Sequence, residues 1–292
     1  MLSVIIPTYN RALLLGRALA SVFAQTLPCD EIIVVDDGSQ DDTPALLEQM
    51  RARSPMSRPS PMPLTVIRQD NQGASAARNA GIERSRGELL AFLDADDWWL
   101  PTKLAMQVAA MEEEPNTLIS HTREIWYRHG QRVNQKKKHD PPGGAIFFRS
   151  LAMCVVGMST VMARRELFER YGMFDENLPC CEDYDLWLRV SRREPFLLVP
   201  QALTCKDGGR DDQLSHIHRV GMDVYRIRAL QKLIDQGLLD PQQDRAVRQE
   251  LVRKCNIYGR GCRKHGRIEE AERYLKQAAQ YDQISPEIPD EL

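Results

Sequence analysis

The chain has 292 residues, 42% hydrophobic and 27% charged, which excludes a disordered chain and suits one large domain or a domain with an appendage. A formal net charge of −2 gives no global pull toward nucleic acid or an acidic membrane. Seven cysteines, an odd number at irregular spacings, argue for a reducing compartment over a disulfide framework.

The opening MLSVIIPTYN lacks a basic region and meets a proline early, so it does not read as a signal peptide. Leu2–Ile6 reads as a buried strand ended by Pro7, and Asn10 is placed to cap a helix with the stripe Leu15, Leu19, Val22 and Phe23. Glu31–Val35 is the next strand and runs into Asp36-Asp37-Gly38-Ser39, after which Thr43-Pro44 reads as a helix start. RSPMSRPSPMP at 53–63 is a surface connector. Leu64–Arg68 is a third strand, Ala74–Ser85 an Ala-rich helix, and Glu88–Leu93 a fourth strand ending at an acidic cluster. Pro101 opens a helix to about Glu114.

This alternation predicts an α/β fold, a mostly parallel, Rossmann-like central sheet flanked by helices. Ligands of such sheets bind beyond the carboxyl ends of the strands, which puts Thr8–Asn10, Asp36-Asp37 and Asp94–Asp97 on one rim. From about Ile119 the pattern loosens. A hairpin is expected over 121–135, a solvated basic run at Lys136–Lys138, a mobile loop at 139–144, a strand near Gly157–Met162, a helix near Arg164–Tyr171 and a strand at Val199–Thr204. Beyond Asp212 the sequence is helical in character, and Gly259, Gly266, Ala271 and Ala278 fit a terminal helical hairpin or one tetratricopeptide-like unit. No run approaches the ~18 apolar residues of a membrane span, so the expected location is cytoplasmic, with peripheral contact at the inner membrane face left open.

Four stretches carry chemistry. FLDADDWW at 92–99 holds three carboxylates within four residues. One aspartate suffices to cap a helix, whereas three repel one another and call for a cation. Asp94-x-Asp96 at a strand end reads as a site for Mg²⁺ or Mn²⁺ with a diphosphate, since these ions take oxygen ligands. In EIIVVDDGSQDDT, Asp36 and Asp37 either shape a turn or accept bonds from a base N–H or ribose hydroxyls. In NQGASAARNAG, Arg78 either forms a surface salt bridge or meets a diphosphate with its fork of donors. In CCEDYDLWLR, Glu182, Asp183 and Asp185 crowd a helix N-terminus, where the dipole favours negative charge, and one carboxylate there can serve as a general base. Cys180-Cys181 has no second CxxC or His pair to complete a tetrahedral metal site.

VIIPTYNR, IIVVDDGS, NQGASAARNAG, LDADDWWLPTKL and EDYDLWLR occur in an order that resembles family 2 glycosyltransferases of the GT-A fold. The resemblance covers roughly residues 1–215, with a nucleotide-sugar half to about 118 and an acceptor half from 119 to 215, and leaves 216–292 as a helical extension. It implies transfer of a sugar from a nucleotide diphosphate donor with inversion. Pro7, Thr8 and Tyr9 would line the nucleoside, Asp37 would bond the base, and Arg78 would lie near the nucleotide. Asp94 and Ala95 would approach the donor, Asp96 would bind the metal, and Asp183 would be the catalytic base. Glu182, Trp187 and Arg210 would support the acceptor side. A base that donates an N–H to Asp37 suits uridine or thymidine and puts a UDP-sugar first.

Two departures qualify this. The processive members' QxxRW-type motif is absent, which favours one sugar per encounter onto a glycan, lipid-linked or protein acceptor. KDGGRDDQLSHIH at 206–218 has Arg210 where many relatives carry a histidine, which puts metal coordination beyond Asp96 in question. A catalytically idle sugar-nucleotide-binding or scaffold protein is the alternative. A nucleotidyltransferase is disfavoured because PTYNRALLLG is not a Gly-rich, Arg/Lys-bearing loop.

Overall fold

The first strand shows how the sheet is assembled. In the computed structural model, which describes residues 1–52 and 63–283, β1 (Leu2–Thr8) is buried on both faces. Val4 and Ile6 enter one apolar cluster and Ile5 enters another, as the period of two requires. The strand continues through Pro7 instead of ending there. Its register with β4 (Leu89–Phe92) stops at Ile5↔Phe92, while that with β2 (Glu31–Asp36) runs on to Thr8↔Asp36. By residue 7 the β4 side is an open edge, where a proline's missing N–H is tolerated.

Between these strands lie α1 (Ala12–Phe23), α2 (Thr43–Ala52), β3 (Leu64–Arg68) and α3 (Ala74–Arg84). Asn10 does not cap α1. Its backbone is left-handed (φ 51°), and its Oδ1 instead accepts from Gln40 N at 2.7 Å and Asp41 N at 3.3 Å. The residue thus stitches the first rim loop to the second. Thr43 Oγ1 also turns to that loop and accepts from Arg11 N at 3.2 Å. The connector at 53–63 falls, except for Pro63, outside the described residues.

The chain continues through β5 (Trp98–Trp99), α4 (Lys103–Glu113), β6 (Ile119–Arg128), β7 (Gln131–Val133), α5 (Phe147–Ala152), β8 (Met162–Arg164), α6 (Arg165–Tyr171), α7 (Glu182–Ser191) and β9 (Leu197–Gly208). The described strands form one sheet in the order β3-β2-β1-β4-β8-β6-β9-β5, with β7 on β6. It is parallel from β3 to β4 and mixed beyond, because β8 runs antiparallel to both β4 and β6. Strand order reverses at β1/β4, and that switch point opens the crevice used below. The loop at 136–144 carries a short 3₁₀ turn over Lys137–His139, and Gly144 bridges Phe196 at its end.

A third cluster joins α5 and α7 to the tail helices. Phe147, Leu151, Tyr184 and Leu188 pack with residues of α9 (Met222–Asp235), α10 (Pro241–Lys264) and α11 (Ile268–Gln283), while the short α8 (Leu214–Ile217) precedes them. α10 and α11 form a helical hairpin so close that a Cβ on Gly259 would lie 2.9 Å from Leu275. Among the described residues no helix is long and apolar enough to cross a membrane.

Candidate active site

At the switch point, the ends of β1, β2 and β4, the start of α3 and the start of α7 enclose a cleft of about 750 Å³. Pro7, Thr8, Tyr9, Asp37, Arg78, Asp94, Ala95, Asp96, Glu182 and Asp183 all line it. Arg210 reaches its edge by bonding Asp96. Trp187 does not take part in the wall. It is buried at the centre of the α7 apolar stripe, edge-on to Phe196, and its Nε1 donates to Val156 O at 3.0 Å. An indole that large fills the core beneath the site rather than touching what the site holds.

The first two rim loops offer one largely engaged carboxylate and one free hydroxyl. Asp37 is buried, and its oxygens accept from Gln69 Nε2 at 2.8 Å, Gln72 N at 2.9 Å and Gly73 N at 2.8 Å. The carboxylate therefore fastens the loop leading into α3. By contrast the buried Thr8 Oγ1 has no partner among the described residues, and Tyr9 stands 42% exposed at the mouth.

The three aspartates after β4 each go a separate way. Asp94 Oδ1 accepts from Arg78 at 2.7 Å, and its N–H donates to Ser159 Oγ at 3.1 Å. Asp96 Oδ2 accepts from Arg210 and from Gln213 Nε2, the latter at 3.1 Å. Asp97 is buried, with Oδ2 accepting from Ser159 Oγ at 2.6 Å and Oδ1 from Asp207 N at 3.1 Å. Burial, with Asp96 adding to it, pushes the Asp97 carboxyl well above the usual range.

Arg78 links the two acidic sites. Its terminal nitrogens donate to Asp94 and, at 2.5 Å, to Glu182 Oε1, while its Nε is buried without a partner among the described residues. Burial opposes the charge, yet Asp94 and Glu182 outweigh it and raise the pKa. Burial likewise pushes Glu182 up, with Arg78 pulling against it. Each terminal nitrogen thus spends one of its two N–H donors within the protein.

α7 starts from Cys181, whose backbone is left-handed (φ 64°), a strained conformation for a residue with a side chain. The turn aims Asp183 at the cleft: its Oδ1 accepts from Tyr184 N at 2.7 Å and its Oδ2 from the Cys154 thiol at 3.2 Å. Asp185 faces away and pairs with Arg189 at 2.9 Å and Lys232 at 3.1 Å, tying α7 to α9.

Lys206 escaped sequence reading. The strand expected to stop at Thr204 runs on to Gly208, and the alternation from buried Thr204 carries Lys206 to the cleft. Glu124 above all, then Asp97, Asp94 and Asp183, raise its pKa against the effect of burial. Arg17 was also missed; it donates to Asp96 O at 2.9 Å and Asp207 Oδ2 at 2.8 Å, while Arg11 pairs with Asp212 at 2.6 Å. These contacts strap the 207–213 segment to α1 and its entry.

Arg11, Arg78, Lys206 and Arg226 line this cleft against Asp37, Asp94, Asp96, Asp97, Glu182, Asp183 and Asp212, with Arg210 at its edge on Asp96. No group of three His, Cys, Asp or Glu side chains among the described residues is arranged to hold a metal ion alone. Among the described residues Asp96 Oδ1 has no protein donor; it lies in a partly exposed carboxylate (19%) and offers a hard oxygen. That fits a divalent ion held by one carboxylate and completed by phosphate and water.

Three comparisons match this architecture. The family model described as "Glycosyl transferase family 2" matches residues 3–172. An uncharacterized glycosyltransferase of Rickettsia bellii is 34% identical over 197 residues, which are 65% of this chain but only 26% of that protein. S. aureus TarS 1-349, solved in complex with UDP-GlcNAc, superposes with a TM-score of 0.72 at 20% identity, covering 98% of this chain and 81% of that one. The mannosyltransferase PcManGT of Pyrobaculum calidifontis, solved with GDP-Man and Mn²⁺, gives a TM-score of 0.63 at 19% identity, covering 97% of this chain and 82% of that one. At such identities the two structures speak for the GT-A fold.

Proposed function

The chain belongs to glycosyltransferase family 2, and from that premise we propose that it is a non-processive, inverting transferase moving a sugar from a nucleotide diphosphate donor to an acceptor hydroxyl in cell-surface glycan assembly. A UDP-sugar is the first candidate donor. The observation that carries this reading is that Asp96 and Asp183, from motifs far apart in sequence, line one cleft at the sheet's switch point.

Asp183 takes the proton of the acceptor hydroxyl as its oxygen attacks the anomeric carbon. The new C–O bond forms on the face opposite the bond to the diphosphate, which breaks and leaves with its electron pair. Tyr9 offers its ring to the nucleobase, and Thr8 offers its unpaired hydroxyl. Three of the roughly four lone-pair positions of Asp37 are filled from within the protein, which leaves one for a base N–H. Arg78 holds Asp94 and Glu182 in place rather than gripping phosphate. When bound at Asp96, Mg²⁺ or Mn²⁺ would supply charge neutralisation for the leaving diphosphate. Arg210 stands beside the same carboxylate to assist.

The test compares Asp96→Ala with Asp183→Asn by UDP affinity, melting temperature and the rate of UDP release from UDP-sugars. Asp183→Asn should keep UDP affinity within a few-fold and lose ~10²–10⁴ in rate. Asp96→Ala should weaken metal-dependent UDP binding as well as turnover. Full activity in a folded Asp183→Asn protein removes the base. A second reading, nucleotide-sugar binding without turnover, draws on Arg210 occupying Asp96. It predicts UDP binding with no UDP release from any donor in the wild-type protein.

A further inference from the structure

We propose that Cys154 is a positioning residue for Asp183, its thiol fixing the plane of the carboxylate that takes the acceptor proton. The inference rests on the reading of Asp183 as the base. Cys154 lies in the segment after α5 and lines the cleft beside α7. Its Sγ is 3.2 Å from Asp183 Oδ2 and 3.3 Å from Val156 O. The other carboxylate oxygen, Oδ1, is held by Tyr184 N at 2.7 Å. Asp183 is therefore gripped at both oxygens, by an amide on its own helix and by a thiol from another segment.

A thiol has one proton, so it serves only one of its two acceptors at a time. An ionised carboxylate is the stronger acceptor and takes it in the resting state. Once Asp183 has accepted a proton from the acceptor hydroxyl, that advantage disappears and the thiol can turn to Val156 O at 3.3 Å. Cys154 thus holds the base while it is charged and releases it once it is neutral. Burial, with Asp183 beside it, pushes the thiol well above the ordinary cysteine range, so it keeps the proton this role needs.

The test measures UDP release from a UDP-sugar by Cys154→Ala, Cys154→Ser, Asp183→Asn and the double variant Cys154→Ala/Asp183→Asn, each checked for folding by its melting temperature. Cys154→Ala should lower kcat about tenfold, the scale of one hydrogen bond, with the donor KM within about twofold. Cys154→Ser keeps a donor and should recover kcat to within about threefold of wild type. In the Asp183→Asn background, Cys154→Ala should change the residual rate by less than about twofold, since coupled residues are non-additive. The proposal is overturned by an unchanged kcat in Cys154→Ala, by equal losses in the Ala and Ser variants, or by the same tenfold loss in both backgrounds. Those results leave the base intact if Asp183→Asn is slow. Full activity in Asp183→Asn instead overturns the base, and the positioning role with it.

Discussion

Arg78 and Glu182, 104 residues apart in the chain, meet as a buried ion pair at 2.5 Å, and the same guanidinium holds Asp94 at 2.7 Å. The acidic motifs after β4 and at the start of α7 are thereby fixed relative to each other by one side chain. Arg78→Met should cost roughly 3–5 kcal/mol, because it leaves two partly or fully buried carboxylates without their cation. Arg78→Lys should recover only part of this, since an ammonium lacks the planar fork that reaches both acids. Urea denaturation checks it, and a loss below about 1 kcal/mol would mean that solvent already serves both carboxylates.

Lys206 feels four carboxylates at once, Glu124 above all and then Asp97, Asp94 and Asp183. Losing its charge makes the cleft more negative toward a donor that is itself an anion. Lys206→Met should raise the donor KM by about tenfold, and raising Mg²⁺ or Mn²⁺ should restore part of it. A KM that stays at the wild-type value at low ionic strength would show that this charge does not reach the donor.

Much of this was legible in the sequence, for definable reasons. Buried β-branched runs such as EIIVV and short motifs at strand ends depend on local spacing, so the rim of Thr8, Asp37 and Asp94–Asp97 was readable before the fold was known. Side-chain partners depend on tertiary contact. Asn10 reads as a helix cap until the neighbouring loop supplies Gln40 N and Asp41 N. Arg78 reads as either a salt bridge or a phosphate ligand, and only the fold brings Glu182 beside it. Trp187 has the same spacing whether it faces a core or a cleft, and only the position of Val156 and Phe196 decides. Lys206 was hidden by a strand end misplaced by four residues, from Thr204 to Gly208.

His121 ties stability to pH away from the site. It is fully buried on β6, and burial lowers its pKa to about 4, with the Pro142 carbonyl working against it. The unfolded chain binds a proton near pH 6.5 that the folded site refuses, so folding stability is present above pH 6.5 and falls as pH drops toward 4. The shift corresponds to about 3 kcal/mol by pH 4. Asp97 and Glu182, held high by burial, act in the opposite sense, so the wild type should be compared with His121→Leu. The wild-type melting temperature should fall more steeply than the variant's between pH 6.5 and 4; parallel curves would mean that His121 takes up its proton without unfolding.

Asp96 already serves one cation, Arg210, which would compete with the metal ion proposed for the same carboxylate. In the protein alone the guanidinium rests on Oδ2 with Gln213 beside it. A metal ion entering at Oδ1 meets a carboxylate whose charge is already partly neutralised, so Arg210 weakens metal binding while keeping a cation ready for the diphosphate. Arg210→Ala should therefore split UDP binding by condition. With EDTA present, UDP affinity should fall by about tenfold, the scale of a charge-assisted contact to phosphate. With saturating Mn²⁺ it should match or exceed wild type, because Asp96 now gives its full charge to the ion. The metal dependence of UDP binding thus grows when the arginine is removed, and calorimetric titrations in the two buffers measure it directly. If Arg210 only fastens the 207–213 segment through Asp207 and Asp212, affinity should fall by the same factor in both buffers, and the competition for Asp96 is disproved.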